Sequence, residues 1–214
     1  MTKRKKRDAN AANGPPGRLR IVAGKWRGRL LPVADVPGLR PTSERVRETL
    51  FNWLQPKIEG ARCLDLYAGT GALGFEALSR GAGEVVFVEL SPVAVAALRK
   101  AEYVLHADDA MIHADEAIHF LESHNEVPFD IVFLDPPFDN APLDTLCGLL
   151  QADVVDGALI YIERSKDQPA PQLPEGWEVV HEKTAGMVVY SLVSVHKPSA
   201  EEDEEEQAIQ GVPE

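Results

Sequence analysis

From residue 61 onward, short apolar runs alternate with longer amphipathic stretches. Residues 63–67, 84–89, 111–113, 130–134 and 158–162 are short apolar runs bounded by polar or turn residues, and they read as strands. Between them, residues 74–79, 92–103, 116–123 and 143–150 read as helices. Runs such as Ile131-Val132-Phe133-Leu134 have no polar alternation, as expected of strands buried on both faces. Residues 177–181 and 187–195, around Ala185-Gly186, predict an antiparallel pair at the end. The expected fold is α/β: a doubly wound, mostly parallel sheet of seven strands with a terminal antiparallel pair.

The pattern ahead of residue 61 is different. Residues 18–29, Arg-Leu-Arg-Ile-Val-Ala-Gly-Lys-Trp-Arg-Gly-Arg, interleave basic and apolar side chains around two glycines and predict a short exposed hairpin. A turn over 37–42 leads to a helix N-capped by Thr42 or Ser43, with Val46, Leu50, Trp53 and Leu54 as its buried stripe and Pro56 as its stop. Residues 1–17 and 199–214 have no periodic apolar pattern and are expected to be disordered. The expected organisation is a basic tail over 1–17, an arm and helix over 18–56, the main domain over 57–198 and an acidic tail over 199–214.

Charge sharpens this division. The chain of 214 residues carries a net −12, yet residues 1–50 hold 13 Lys/Arg against 4 Asp/Glu, and the remaining 164 hold 9 against 30. A basic arm concentrates positive potential where a phosphate backbone can dock, whereas the Lys-Arg-Lys-Lys-Arg run fits a plain solvated tail equally well. Arg18, Arg20, Lys25, Arg27, Arg29, Arg40, Arg45 and Arg47 are the candidate phosphate contacts. Trp26 among them suits stacking on a base, or equally packing against the main domain. No apolar stretch approaches the roughly 20 residues of a membrane span, so a soluble, cytoplasmic chain is expected. Cys63 and Cys147 fall in apolar contexts in different elements and are expected as buried free thiols; no metal-ligand spacing occurs.

Two stretches carry chemistry. In Asp135-Pro136-Pro137-Phe138 the prolines cannot continue the preceding strand, so Asp135 sits at its carboxyl end, where open α/β sheets bind ligands. The tetrapeptide offers a carboxylate, a carbonyl and a flat ring: acceptors for an amino group beside a stacking surface. Upstream, Asp65-Leu66-Tyr67-Ala68-Gly69-Thr70-Gly71-Ala72-Leu73-Gly74 has the spacing of a glycine-rich cofactor loop. Glu89 follows Gly71 by 18 residues, at the end of the next strand, placed to accept both hydroxyls of a ribose. A dinucleotide pyrophosphate at the helix start disfavours a nearby acid, whereas Asp65 suits a cationic ammonium and sulfonium, which points to S-adenosylmethionine. Asp115, after the third strand, is placed to accept from an adenine amine or to cap the next helix.

These stretches resemble the class I S-adenosylmethionine-dependent methyltransferases, and within them the RsmD-like guanine-N2 methyltransferases of bacterial small-subunit (16S) ribosomal RNA. The resemblance covers about residues 20–195 and rests on RIVAGKWRGR, LRPTSERVRETLFNWL, DLYAGTGALGFEALSRGA, FVEL, FLDPPF and ALIYIE. It implies a Rossmann-like methyltransferase fold with an N-terminal hairpin and helix extension. It also implies cofactor contacts from Asp65, Ala68, Gly69, Gly71, Glu89, Leu90 and Asp115, and a target-base seat at Asp135, Pro136, Pro137 and Phe138. Thr42 joins the basic residues and Trp26 as an RNA contact. Ribosomal RNA, within a partly or fully assembled small subunit, is the implied partner of a monomeric enzyme. Rival readings are an amino-methyltransferase acting on adenine or cytosine, an NAD-linked oxidoreductase, and an inactive ribosome-binding module.

Overall fold

A computed structural model describes residues 18–33, 42–123, 127–137 and 142–197. Both tails, Arg40 and Phe138 lie outside the described residues. The chain begins with two short antiparallel strands, β1 (Arg18–Arg20) and β2 (Leu30–Pro32), with Leu19 opposite Leu31. The hairpin thus reaches three residues beyond the expected 18–29, and the segment between its strands is a loop. Helix α1 (Glu44–Leu54) follows, capped by the Ser43 side chain, which accepts from the Val46 N–H. It buries Val46, Leu50, Phe51 and Leu54.

The main sheet is built from β3 (Arg62–Asp65), β4 (Glu84–Val88), β5 (Ala110–His113), β6 (Phe129–Leu134), β7 (Val154–Ser165), β8 (Trp177–Ala185) and β9 (Val188–Val195). Its order is β5-β4-β3-β6-β7-β9-β8; the first five strands are parallel, and β9 runs antiparallel to both β7 and β8. The seven-stranded, mostly parallel sheet with its terminal antiparallel pair is the one expected. β7 is longer than its apolar run suggested, because Leu159 to Ser165 pair with Val188 to Ser194 of β9, while only Leu159 to Ile162 of this stretch also pair with β6.

Helices α2 (Gly74–Ser79), α3 (Pro92–Leu105), α4 (Ala117–Ser123) and α5 (Leu143–Asp153) cover the sheet. Alternate residues of one strand feed separate cores: Cys63, Ile131, Phe133 and Tyr161 pack with α1, α2 and α3, while Leu64, Val132, Leu134 and Ile162 pack with α4 and α5. That two-sided burial is why these strands read as unbroken apolar runs. Leu19, Ile21, Trp26 and Leu31 of the hairpin belong to the first of these cores, so the hairpin packs onto the sheet domain. The topology switches direction between β3 and β6, and the crevice above their carboxyl ends is where doubly wound sheets bind ligands.

Candidate active site

Four neighbouring strands end their apolar runs in a carboxylate: Asp65 closes β3, Glu89 follows β4, Asp135 follows β6 and Glu163 lies near the end of β7. Asp65 is paired in register with Phe133, two residues short of Asp135. The Asp65 side chain is buried and accepts a 2.9 Å hydrogen bond from the Gly74 N–H, which ties the start of the glycine loop to the start of α2. Burial pushes its carboxyl up to about 7; the Gly74 bond opposes that rise, and the charges of Asp135 and Glu89 add to it. A crevice so provided with anions favours a cationic ligand.

The loop between Asp65 and Gly74 is held in shape from the neighbouring strand. The Glu89 carboxylate accepts from the Gly69 N–H at 2.8 Å and from the Ser91 N–H at 2.7 Å, and the Ala68 N–H donates to the Val88 carbonyl at 3.0 Å. Gly69 and Gly71 have φ of 52° and 74°, in the left-handed region. At Gly74 a Cβ would lie 2.2 Å from the Phe87 ring, so only glycine lets α2 sit this close to β4. Leu90, one residue beyond Glu89, is 67% exposed, an apolar side chain turned to solvent beside the loop. Asp115 follows β5 and accepts from the Glu116 N–H at 2.8 Å and from His119 Nδ1 at 2.9 Å. The capping bond of α4 comes from Glu116, just ahead of the helix, whose carboxylate accepts from the His119 N–H at 2.9 Å; the bond with His119 lowers the Asp115 carboxyl below its usual range.

Around Asp135, Pro136 is buried and Pro137 exposed. The Thr42 hydroxyl, expected among the RNA contacts, lies 3.3 Å from Asp135 Oδ2. The start of α1 is thus part of the wall of this site. Glu163, absent from the residues picked out of the sequence, is buried; Tyr161 donates its hydroxyl to the Glu163 carboxylate, and both lie beside Asp135. Burial raises both carboxyls, and the Asp135 charge raises that of Glu163 further. A signal was present in the sequence: Ile-Tyr-Ile-Glu repeats the apolar-run-then-acid pattern of Val-Phe-Val-Glu and Val-Phe-Leu-Asp at the ends of β4 and β6 in the same sheet.

Of the basic residues of the arm, Arg18, Arg20, Lys25, Arg27, Arg29 and Arg45 are exposed. Two expectations need correction. Arg47 is 1% exposed and is spent on Glu76, the Thr42 carbonyl and the Arg20 carbonyl, so no phosphate can reach it. Trp26 is also buried, packed into the core beneath Lys25, whose Nζ lies 4.5 Å from the ring centroid. It stacks on no base. No group of acids, histidines and cysteines among the described residues could hold a metal ion, and no described helix is long and apolar enough to cross a membrane.

The strand order, the glycine loop after β3 and the acid-proline-proline turn after β6 define a methyltransferase of the Rossmann-like class. A family model described as "Conserved hypothetical protein 95" matches residues 19–194, and the chain belongs to that family. Ribosomal RNA small subunit methyltransferase D of Escherichia coli (strain K12) is 46% identical over 178 residues, which are 82% of this chain and 89% of that protein. The protein of the same name from Haemophilus influenzae is 46% identical over 181 residues, 82% and 93% of the two chains. The solved structure titled "Putative methyltransferase yhhF from Escherichia coli" superposes with a TM-score of 0.79 at 42% identity, covering 85% of this chain and all of that one.

Proposed function

We propose that this enzyme transfers a methyl group from S-adenosylmethionine to the exocyclic N2 amine of one guanine in small-subunit ribosomal RNA, in the cytoplasm. The observation that carries the reading is the adjacency of two turns on neighbouring strands: the glycine loop after β3 and Asp135-Pro136 after β6. The acid-rich donor set fits the cofactor. Asp65, Glu89, Leu90 and Asp115, with the backbone of Ala68, Gly69 and Gly71, would hold it, and S-adenosylmethionine, when bound, supplies an electrophilic methyl group.

The chain's own residues supply position and charge. A guanine N2 amine is a weak nucleophile because its lone pair is delocalised into the ring. Asp135 and the Pro136 carbonyl each accept one N–H, which draws the nitrogen toward a pyramidal geometry with its lone pair free. Phe138 stacks on the base, which leaves its own stack to enter. The nitrogen gains a methyl group and loses one proton, and Asp135 is the nearest base for that proton. Positioning and electrostatics therefore carry the rate. Arg18, Arg20, Lys25, Arg27, Arg29, Arg40 and Arg45 contact phosphates and orient the RNA. The enzyme acts as a monomer on a partly or fully assembled subunit.

The test is transfer of labelled methyl to naked small-subunit RNA and to partly assembled subunits, followed by mapping of the modified nucleotide. Label on one guanine N2 is the expected outcome. Label on an adenine or cytosine amine would replace the substrate but keep the site, since an acid-proline-proline seat reads an amine and not a base. No transfer to either form of RNA would reject the reading.

A further inference from the structure

We infer that Glu163 is a positioning residue for methyl transfer: it is the proton-holding half of a buried carboxyl pair whose ionised half is Asp135. This rests on the site proposed above and adds to it the state in which Asp135 meets the amine.

The geometry comes from three elements. Leu134 and Ile162 are register partners on the parallel strands β6 and β7, so the residues that follow, Asp135 and Glu163, come side by side at the carboxyl end of the sheet. From β7 itself, Tyr161 donates to Glu163 Oε1. From the turn before α1, Thr42 Oγ1 donates to Asp135 Oδ2 at 3.3 Å and also lies against Glu163. From β9, Tyr190 is the register partner of Glu163, and its ring is 6.4 Å from that of Tyr161. Asp65, below Asp135, adds a third acid. Among the described residues, neither Glu163 nor Asp135 has a Lys, Arg or His within ion-pair distance.

Two carboxylates in that setting cannot both ionise at neutral pH, because their repulsion is unscreened and neither has a cation to offset it. One proton stays on the pair. Glu163, at 5% exposure, is the more deeply buried partner, and Asp135, at the mouth, faces the incoming base. Burial and the Asp135 charge both hold the Glu163 proton in place. The Thr42 hydroxyl has a single hydrogen, which it gives to Asp135, so a protonated Glu163 can in turn donate to the Thr42 oxygen. A turnover begins with one proton on the pair and ends with two, once the methylated nitrogen has given one to Asp135; the extra proton goes to solvent as product leaves.

The experiment uses the full chain with S-adenosylmethionine and small-subunit RNA as probes, in wild type, Glu163→Ala, Glu163→Gln and Asp135→Ala. Glu163→Ala is expected to lower kcat at least tenfold with cofactor affinity within a few-fold of wild type. Glu163→Gln, which keeps shape and a donor, is expected to recover part of that loss and to lack the alkaline limb of the wild-type kcat profile. In the infrared, the protonated-carboxyl band at neutral pH is expected to lose its Glu163 component in Glu163→Gln, while the component from Asp65 stays as in wild type. An unaltered alkaline limb together with an unaltered infrared band in Glu163→Gln would overturn the inference, and so would a Glu163→Gln enzyme no better than Glu163→Ala. If Asp135→Ala still transfers methyl at the wild-type rate, the failure is that of the site reading itself.

Discussion

Arg47 Nη1 lies 3.1 Å from Glu76 Oε2, with side-chain exposures of 1% and 0%. The two residues come from α1 and α2 and form the centre of a buried polar knot. Glu76 also accepts from the Val22 and Ala23 N–H groups at 2.8 and 2.9 Å and from Arg80 Nε at 2.8 Å. Arg47 donates in addition to the Thr42 and Arg20 carbonyls. Hairpin loop, start of α1 and helix α2 are thereby fastened at one point, directly behind Thr42 and the cofactor loop.

Breaking this pair by removing one partner leaves a desolvated charge behind. Arg47→Ala is expected to lower unfolding stability by about 3–5 kcal/mol, as is typical when a buried ion pair loses one member. Arg47→Lys should recover little, because a single ammonium cannot make the forked bonds to Glu76 and two carbonyls. Denaturant unfolding of the three proteins checks both statements.

The parts of the site that were legible in the sequence are those whose cause is local. Asp135 announced itself because prolines end a strand wherever they stand, and the glycine loop because tight backbone turns demand glycine. The fate of Arg47 had no local signature. It sits next to Val46 on the edge of the apolar stripe of α1, and its partner is 29 residues away on a helix whose inward face could not be known. Trp26 was balanced between solvent and core for the same reason, and the structure decides for the core. Glu163 was readable only after strand order placed β7 beside β6, since its meaning lies in its neighbour and not in its own segment.

Asp65 gives the protein a stability that falls with rising pH. Its folded carboxyl is raised to about 7, chiefly by burial, whereas an unfolded chain ionises it near 4. Between those values the folded state holds a proton that the unfolded state has released, so this group's contribution is fully present below pH of about 4 and is lost as pH rises toward 7. The slope from this one group cannot exceed about 1.4 kcal/mol per pH unit. Asp65→Asn, which retains an acceptor for the Gly74 N–H, should flatten that part of the curve. Denaturant melts from pH 4 to 8 on both proteins measure the difference; parallel curves would mean that Asp65 is ionised throughout.

The exposed cations of the arm set the salt dependence of RNA binding. Each phosphate contact contributes roughly 0.7 to 0.9 to the slope of log K against log salt. Arg27→Ala and Arg29→Ala should each lower the slope by about that amount, whereas Arg47, being buried, contributes nothing to it. Arg29 also donates to the Val104 carbonyl at 3.3 Å, so its loss frees a contact to α3 as well. Filter binding across a salt series separates these variants, and an unchanged slope in both would remove the arm as the docking surface.

Gly24 is the position where the hairpin loop is most exposed to a single methyl group. Its φ is 79°, and a Cβ there would lie 1.7 Å from the Ser79 carbonyl oxygen at the end of α2. That oxygen already accepts from the Lys25 N–H at 2.7 Å, while Ser79 Oγ accepts from the Trp26 N–H at 3.0 Å and donates to the Ala23 carbonyl at 2.5 Å. The obstacle is backbone, held by three bonds, so the loop must lift away as a unit. Gly28 provides the control: its φ is 80°, but nothing lies within 4 Å of a Cβ. Gly28→Ala should therefore cost only the backbone strain, about 1–2 kcal/mol. Gly24→Ala should cost more than that, and it should weaken RNA binding by displacing Lys25 and Arg27. S-adenosylmethionine affinity should change less than threefold, because the Asp65–Gly74 and Glu89–Gly69 bonds are made at the other end of α2. Calorimetric cofactor binding and RNA binding on the same two proteins decide the matter. Equal losses of both ligands in Gly24→Ala would mean that hairpin and cofactor loop fold as one unit.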